Sequence, residues 1–240
     1  MHDLRGVLVG AGYFAQHQLD GWSRVVGARI AALCDLDAAK AEAMAARFGV
    51  PRTYRSLDEA LERERPDFVD IVTRPESHLE LVETAAARGA AILCQKPVAP
   101  TLEESVHLVR RCEALGVPLM INENWRWQPW YRRIRGLIDE GRIGRIFHAR
   151  ALVRPGDGRG PRPYAHQPYF SEMPRFIIFE MLVHFLDTFR FLFGEVEWVF
   201  ARTRRINPVI RGEDLAVVHL AFAGGVEAVI DANRFSDYGG

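Results

Sequence analysis

Short apolar runs alternate with amphipathic segments through the first half of the chain. The runs are rich in Val, Ile, Leu and Ala and are bounded by turn residues, as buried strands are. They read RGVLVG, ARIAALCD, DFVDIVT, AAILC and VPLMI. Between them the apolar residues recur at helical spacing. This alternation predicts an α/β domain over residues 1–123, with a parallel sheet covered by helices on both faces.

Capping residues mark the ends of the predicted helices. Gly49, Gly89 and Gly116 each follow a helical segment, as glycine often does at a helix C-terminus. Ser56 and Thr101 occupy N-cap positions, each with a glutamate three residues later as in a capping box. These signals mark the ends of predicted helices that connect successive strands.

At about residue 143 the pattern changes, and residues 124–240 are predicted to form a second domain of the α+β class. Longer runs predict a mainly antiparallel sheet, and the pair Gly224-Gly225 is a hairpin turn signal. The runs read GRIFHARALVR, EVEWVFARTRR, DLAVVHLAFA and GVEAVIDANR. The aromatic and arginine-rich segment ENWRWQPWYRR before them is interpreted as a link between the domains.

One strongly apolar helix, PRFIIFEMLVHFLDTFRFLFG, is predicted among these strands. Pro174 suits its first turn and Gly194 its end. Glu180, His184 and Asp187 are spaced to share one face of an α-helix. From the residues alone, structural partners for these buried polar groups are favoured over a catalytic role.

Composition and charge narrow the class of ligand. The chain has 31 basic and 31 acidic residues and a formal net charge of zero, which disfavours nucleic acid and anionic membranes as partners. We therefore expect a small-molecule ligand. No apolar stretch is long enough to span a bilayer, and the three cysteines include no C-x-x-C pair, as in a reducing compartment. These features predict a cytoplasmic protein without a metal site.

The first strand leads into a turn typical of dinucleotide binding. Residues 10–15 read GAGYFA, a G-x-G-x-x-A sequence between a predicted strand and a predicted helix. Gly10 permits the tight turn, and Gly12 lets the backbone approach a pyrophosphate. A tight turn without a cofactor is the alternative, but the strand-turn-helix context favours a Rossmann-type nucleotide site.

Asp35 bears on the choice of cofactor. It ends the second predicted strand, where its carboxylate can accept hydrogen bonds from an adenosine ribose and would repel a 2′-phosphate. This predicts NAD. NADP stays possible if Arg52 or Arg55 meets the phosphate.

Lys96 is one of only two lysines in the chain, the other being Lys40. The remaining basic residues are arginines, whose planar guanidinium cannot replace a compact amine donor. The retained amine indicates either a chemical role or chance survival on a surface loop.

Together, the motifs at the strand ends resemble those of the glucose-fructose oxidoreductase and inositol dehydrogenase (Gfo/Idh/MocA) family of nicotinamide-dependent oxidoreductases. The resemblance runs from about residue 5 to about residue 233. It includes the glycine turn, the T-x-P-x-x-H segment ending in His78, the C-x-K-P around Lys96, the N-x-R-x-x-P formed by Asn124, Arg126 and Pro129, and the helix around His184.

The resemblance implies hydride transfer between a nicotinamide and a secondary alcohol of a sugar, polyol or inositol-like substrate. It implies Lys96 as a catalytic group on the substrate oxygen and His184 as the proton acceptor, with Glu180 orienting the imidazole. Residues at the strand ends are implied to bind the cofactor, namely Gly10, Gly12, Tyr13, Phe14, Asp35, Thr73, Pro75, His78, Lys96, Asn124 and Arg126.

The sequence departs from the family pattern at two positions, Gln95 for glutamate and Glu180 for aspartate. These departures keep a nicotinamide-binding sensor or inactive relative as an alternative. A further alternative within the same fold is an enzyme that recycles NAD without net redox change. The resemblance also implies a homo-oligomer formed through the open face of the second sheet. It further implies a longer second domain, so we expect either a sheet truncated at its C-terminal end or a reduced second domain.

Overall fold

The computed structural model describes residues 3–165 and 167–236 of the chain. The chain divides into two compact units, residues 1–122 and 123–240. This division lies one residue before the predicted boundary, so Glu123 belongs to the second unit.

A parallel sheet and its connecting helices form the first unit. The strands are β1 (Leu4–Val9), β2 (Ala28–Cys34), β3 (Thr53–Tyr54), β4 (Phe68–Ile71), β5 (Ala91–Cys94) and β6 (Leu119–Ile121). The helices are α1 (Ala15–Trp22), α2 (Ala38–Phe48), α3 (Leu57–Glu64), α4 (His78–Ala87) and α5 (Leu102–Leu115). The strand order β3-β2-β1-β4-β5-β6 confirms the predicted Rossmann-type sheet, whose order reverses between β1 and β4. The two-residue β3 was not predicted because it is too short to show a period.

Alternation along the strands fills both faces of this sheet. In β1, Val7 and Val9 enter the apolar cluster on one face and Leu8 enters the cluster on the other. The predicted caps are present as well. The Thr101 hydroxyl accepts the Glu104 N–H at 3.1 Å, and the Glu104 carboxylate accepts the Thr101 N–H at 3.1 Å. The ends of the strands are therefore held in fixed positions, and the loops that follow them carry the candidate site.

The second unit contains a four-stranded mixed sheet. Its strands are β7 (His148–Val153), β8 (Val196–Arg204), β9 (Leu215–Phe222) and β10 (Glu227–Asn233), in the order β7-β10-β9-β8. Only the β7–β10 pair is parallel, which confirms the mainly antiparallel prediction. Helix α6 (Pro129–Asp139) begins in the segment that was interpreted as a link and extends beyond it, and α7 is Val183–Phe193. Among the described residues, no helix has both the length and the apolar character needed to cross a membrane.

The apolar helix begins later than predicted. Pro174 lies outside it, and the helix starts at Ile177, whose N–H donates to the Glu213 carbonyl at 3.0 Å. The first six residues, Ile177–Leu182, are π-helical, and α7 continues from there. Gly194, with φ of +94°, ends the helix as predicted. The π-helical start changes which residues share a face.

Three free, buried cysteines lie in the first unit. Burial raises the pKa of Cys34 and of Cys94 to about 12, and the nearby carboxylates of Asp35 and Asp70 act in the same direction. Burial also raises the pKa of Cys112. The thiolate is the reactive form of cysteine. We therefore expect fewer than about 0.1 thiol per native protein molecule to react with an aromatic disulfide reagent within minutes at about pH 8. All three thiols should react after denaturation. Reaction of one thiol per native protein molecule would contradict this burial.

Candidate active site

The turn between β1 and α1 is shaped so that a ligand can approach the backbone. Gly10 has φ of +103°, and a Cβ there would lie 2.8 Å from the Val72 carbonyl oxygen, so only glycine fits. A Cβ on Gly12 would meet no heavy atom within 4 Å. The close packing at the first glycine and the open space at the second fit the pyrophosphate of a dinucleotide.

Asp35 follows β2 and holds this turn in place. Its Oδ2 accepts the Ala11 N–H at 2.6 Å, and its Oδ1 accepts the Asp37 N–H at 2.8 Å. Each carboxylate oxygen has two acceptor positions, so Asp35 retains capacity for ribose hydroxyls. Arg52, one predicted partner for a 2′-phosphate, instead pairs with Glu64, with 2.5 Å between Nε and Oε1. The arrangement fits NAD.

The two aromatic residues of the turn have different surroundings. Tyr13 is 50% exposed, and its ring lies edge-on to His17 with 5.5 Å between centroids. Phe14 packs against the apolar cluster that contains Leu8. Tyr13 therefore offers surface to a ligand, whereas Phe14 mainly supports the turn.

His78 is buried and connects two loops. Its Nδ1 lies 3.0 Å from the Val98 carbonyl oxygen and its Nε2 lies 3.2 Å from that of Thr73. Burial lowers the pKa of His78, against the opposite effect of these carbonyl groups. The neutral ring donates to one of these two carbonyl groups, and the buried side chain joins the two loops. A direct contact between this side chain and the cofactor stays a prediction. Thr73 and Pro75 lie in the loop after β4, and Pro75 begins a 3₁₀ turn there.

Lys96 lies in the loop after β5 and is joined to Pro97 by a cis peptide bond. Its N–H donates to Oε1 of Gln95 at 2.9 Å. Gln95 is only 8% exposed, and its Nε2 has no hydrogen-bond partner within the part of the chain that the structure describes. The Gln95 amide thus turns back onto the loop and fixes the backbone that carries the lysine.

In the second unit, His184 on α7 is paired with Glu123, which the sequence analysis did not single out. Nδ1 of His184 lies 2.8 Å from Oε1 and 2.7 Å from Oε2 of Glu123, and the two side chains are 11% and 12% exposed. Glu123 Oε1 also accepts the Trp125 N–H at 3.0 Å. A carboxylate on Nδ1 places the ring proton there and leaves Nε2 as the base. We assign the tautomer from this geometry.

Trp125 covers one face of the same imidazole. Its indole is stacked on the His184 ring with 4.9 Å between centroids and 8° between planes. Phe185 contacts the indole edge-on at 4.6 Å. The histidine is therefore restrained both at Nδ1 and on its face, which suits a proton acceptor that must keep one orientation.

Arg126 and Asn124 were predicted to bind the cofactor. Arg126 donates from Nε to Oδ2 of Asp187 at 2.6 Å and from Nη2 to Oδ1, a bidentate pair. Asn124 is exposed and precedes the 3₁₀ turn Trp125–Trp127. Cofactor binding by either side chain stays a prediction.

Glu180 does not share the surroundings of His184 and Asp187. The latter two both contact the segment 123–126, as their spacing on α7 predicts. Glu180 lies in the π-helical segment, where hydrogen bonds join residues i and i+5 and α-helical spacing no longer applies. Its Oε2 lies 3.5 Å from Nη1 of Arg234. The carboxylate on Nδ1 of His184 is thus that of Glu123, which corrects the predicted orienting role of Glu180.

Comparison with known proteins shows similarity along the whole chain. Residues 4–123 match the model of an oxidoreductase family with an NAD-binding Rossmann fold, and residues 131–240 match the GFO/IDH/MocA C-terminal domain. A D-apiose dehydrogenase of Paraburkholderia graminis is 41% identical over 97% of this chain, and one of Rhizobium rhizogenes is 38% identical over 100%.

Among solved structures, an oxidoreductase from Agrobacterium radiobacter, in complex with NAD+, L-tartaric acid and magnesium, has a TM-score of 0.94 and 38% identity over 99% of this chain. This chain spans 68% of that protein, and 61% and 68% of the two dehydrogenases. The matched residues include the glycine turn, the lysine loop and the helix of His184. The chain belongs to the Gfo/Idh/MocA family of oxidoreductases.

Proposed function

We propose that the protein is an NAD-dependent dehydrogenase that oxidises a secondary alcohol of a sugar, polyol or inositol-like substrate. The observation that carries this proposal is the buried pair of Glu123 and His184, a general base held in one tautomer. Two relatives named D-apiose dehydrogenase support a sugar as substrate. The hydroxy acid L-tartaric acid in the Agrobacterium complex supports a small polyhydroxylated ligand.

The residues of the chain divide the proposed chemistry between them. Bound NAD supplies the hydride acceptor. His184 takes the hydroxyl proton at Nε2, and Glu123 stabilises the imidazolium that forms. Lys96 donates a hydrogen bond to the reacting oxygen and stabilises its developing negative charge. Residues 10–12 and Asp35 would hold the pyrophosphate and the adenosine ribose.

The test is formation of reduced nicotinamide, followed by absorbance, with NAD and a panel of D-apiose, other sugars, inositols and sugar acids. At least one member of the panel should reduce NAD. If the protein binds NAD but converts no compound, this result favours a sensor or an inactive relative over a dehydrogenase. If product forms without accumulation of reduced nicotinamide, the enzyme recycles its cofactor.

Asp35 should set the preference for NAD over NADP. We expect Asp35→Asn to raise kcat/KM with NADP relative to NAD by about tenfold or more, since a like-charge contact with the 2′-phosphate is removed. Asparagine keeps one oxygen that can accept the Ala11 N–H, although it gives up the bond from the Asp37 N–H, so the turn should persist. Asp37→Asn removes a charge two residues away and serves as the matched control. An unchanged ratio of the two kcat/KM values would show that Asp35 does not face the ribose.

Cytoplasmic location and self-association are parts of the same proposal. The three free, buried cysteines support a reducing compartment. On β8, Trp198, Val199 and Phe200 are 54%, 58% and 51% exposed, and such apolar surface supports association between copies of the chain. Sedimentation equilibrium of the purified protein measures that association.

A further inference from the structure

Trp125 contacts the proposed general base and its carboxylate partner at once. The indole is stacked on the His184 ring, with 4.9 Å between the ring centroids and 8° between the planes. The backbone N–H of Trp125 donates to Oε1 of Glu123 at 3.0 Å, and the same carboxylate lies 2.7 Å from Nδ1 of His184. The three residues therefore form a closed set of contacts, in which the carboxylate holds an edge of the imidazole and the indole covers a face.

Neighbouring rings hold the indole in its own position. Phe185, the residue after His184 on α7, contacts the indole edge-on with 4.6 Å between centroids. The Tyr131 ring on α6 lies nearly parallel to the indole, at 6.3 Å and 21°. A tryptophan side chain has only two torsion angles, so little freedom has to be removed to fix it. These contacts define the plane of the indole and thereby the plane of the imidazole that is stacked on it.

The charge on His184 changes during the proposed reaction. The ring is neutral before it accepts the hydroxyl proton and is a cation afterwards. A cation within about 6 Å of the centroid of a tryptophan ring, over its face, is attracted by the ring quadrupole, and more strongly where water is excluded. The His184 side chain is only 11% exposed. The indole therefore interacts more strongly with the protonated base than with the neutral base, which is the condition for lowering a barrier.

The arginine next to Trp125 does not oppose this effect with its full charge. An unpaired guanidinium at Arg126 would repel an imidazolium. Arg126 instead donates from Nε to Oδ2 of Asp187 at 2.6 Å and from Nη2 to Oδ1. The guanidinium is thus balanced by Asp187, and Glu123 is the carboxylate that balances a positive charge on His184.

We propose that Trp125 is a positioning residue whose indole face stabilises the positive charge that His184 gains when it accepts the proton of the alcohol. The inference rests on the proposed dehydrogenase function. In that reaction the alcohol carbon gives a hydride to NAD and the hydroxyl group gives its proton to His184, so that a ketone is formed. Trp125 forms no bond in this step and acts only through His184.

The experiment compares Trp125→Leu and Trp125→Phe with the wild type by steady-state kinetics for the alcohol and for NAD. Both variants keep the backbone N–H that bonds Glu123, so only the ring is changed. We expect Trp125→Leu to lower kcat by about 5-fold to 30-fold. Trp125→Phe should lower kcat less, because phenylalanine keeps a weaker π face. The KM for NAD should stay unchanged in both.

Trp130→Leu is the matched control for these variants. It removes a tryptophan from the same segment of the chain, one whose ring is 57% exposed and contacts Tyr131. This variant should keep the wild-type kcat. A loss of kcat equal to that of Trp125→Leu would assign the effect to the stability of the segment and would overturn the proposed role.

Two further measurements separate stabilisation of charge from packing. A His184→Asn enzyme forms no imidazolium, so adding Trp125→Leu to it should lower the residual kcat no further. The stack itself is tested without turnover by nuclear magnetic resonance with isotope-labelled histidine. The carbon-bound ring protons of His184, assigned by their absence in His184→Asn, should move downfield in Trp125→Leu, because the indole ring current no longer shields them.

Each outcome decides between the two levels of the proposal. A wild-type protein without turnover overturns the dehydrogenase function, and the role of Trp125 with it. If the wild type is active, an unchanged kcat in Trp125→Leu overturns only the role of Trp125. Equal kcat values in the leucine and phenylalanine variants, an equal loss in the His184→Asn background, or unmoved His184 protons do so as well. If the leucine variant does not fold, Trp125→Met replaces it, since methionine fills irregular gaps without a π face, and the same loss of kcat is expected.

Discussion

Replacing His184 by asparagine should lower kcat for the alcohol oxidation by about 10²-fold to 10⁴-fold, the usual contribution of a general base. Asparagine can still donate a hydrogen bond to Glu123, but it cannot take up a proton. The KM for NAD should stay unchanged, because the substitution leaves the glycine turn and Asp35, the proposed cofactor contacts, as they are. Steady-state kinetics at one fixed pH measure kcat and both KM values.

Two companion variants make the result specific. Glu123→Gln should lower kcat by about 10-fold to 100-fold, because an outer carboxylate that orients a functional histidine contributes on this scale. His219→Asn should have no effect, since His219 lies on β9 with its side chain exposed. A His184→Asn enzyme that kept wild-type kcat would remove the general base from the proposed mechanism.

Lys96→Met should lower kcat by about 10²-fold to 10³-fold, as loss of one donor to a developing oxyanion does. Methionine keeps the length of the side chain and removes the ammonium group. Lys96→Arg should restore little activity, because a planar guanidinium does not occupy the position of a compact amine. Initial rates at saturating NAD and alcohol measure both effects.

The control for this prediction is provided by the other lysine of the chain. Lys40 is on α2, its side chain is 65% exposed, and its amine lies 3.4 Å from Asp37. Lys40→Met should therefore keep full activity. If Lys96→Met instead raised only the KM for NAD and left kcat unchanged, Lys96 would be a cofactor contact without a catalytic role.

Local signals in the sequence predicted most of the first unit. The turn at residues 10–15 and the caps at Ser56 and Thr101 depend on neighbours within a few residues. They can therefore be predicted from the local sequence. Asp35 was predictable for the same reason, because it ends a strand next to that turn. His78 was found by its motif, but its burial against two carbonyl groups depends on the loop at Val98, 20 residues away.

In the second unit, the contacts of the candidate site could not be predicted from local sequence patterns. Glu123 and His184 are 61 residues apart, and no period or spacing joins them. Glu180 was placed beside His184 by assuming an α-helix, whereas the segment Ile177–Leu182 is π-helical. Arg234 lies 77 residues from Asp157, its bidentate partner. Long-range ion pairs of this kind follow from tertiary packing rather than from the local sequence.

The bond between Asp35 and the Ala11 N–H has a consequence for attempts to engineer the cofactor preference. Folding itself orders the glycine turn through this bond, so the conformational entropy of the turn is lost before a dinucleotide arrives, and binding is preorganised. One carboxylate thus serves both ribose selection and loop rigidity. Substitutions at this position that lack an acceptor would loosen the turn as they relax the selection, and affinity for both dinucleotides would fall together.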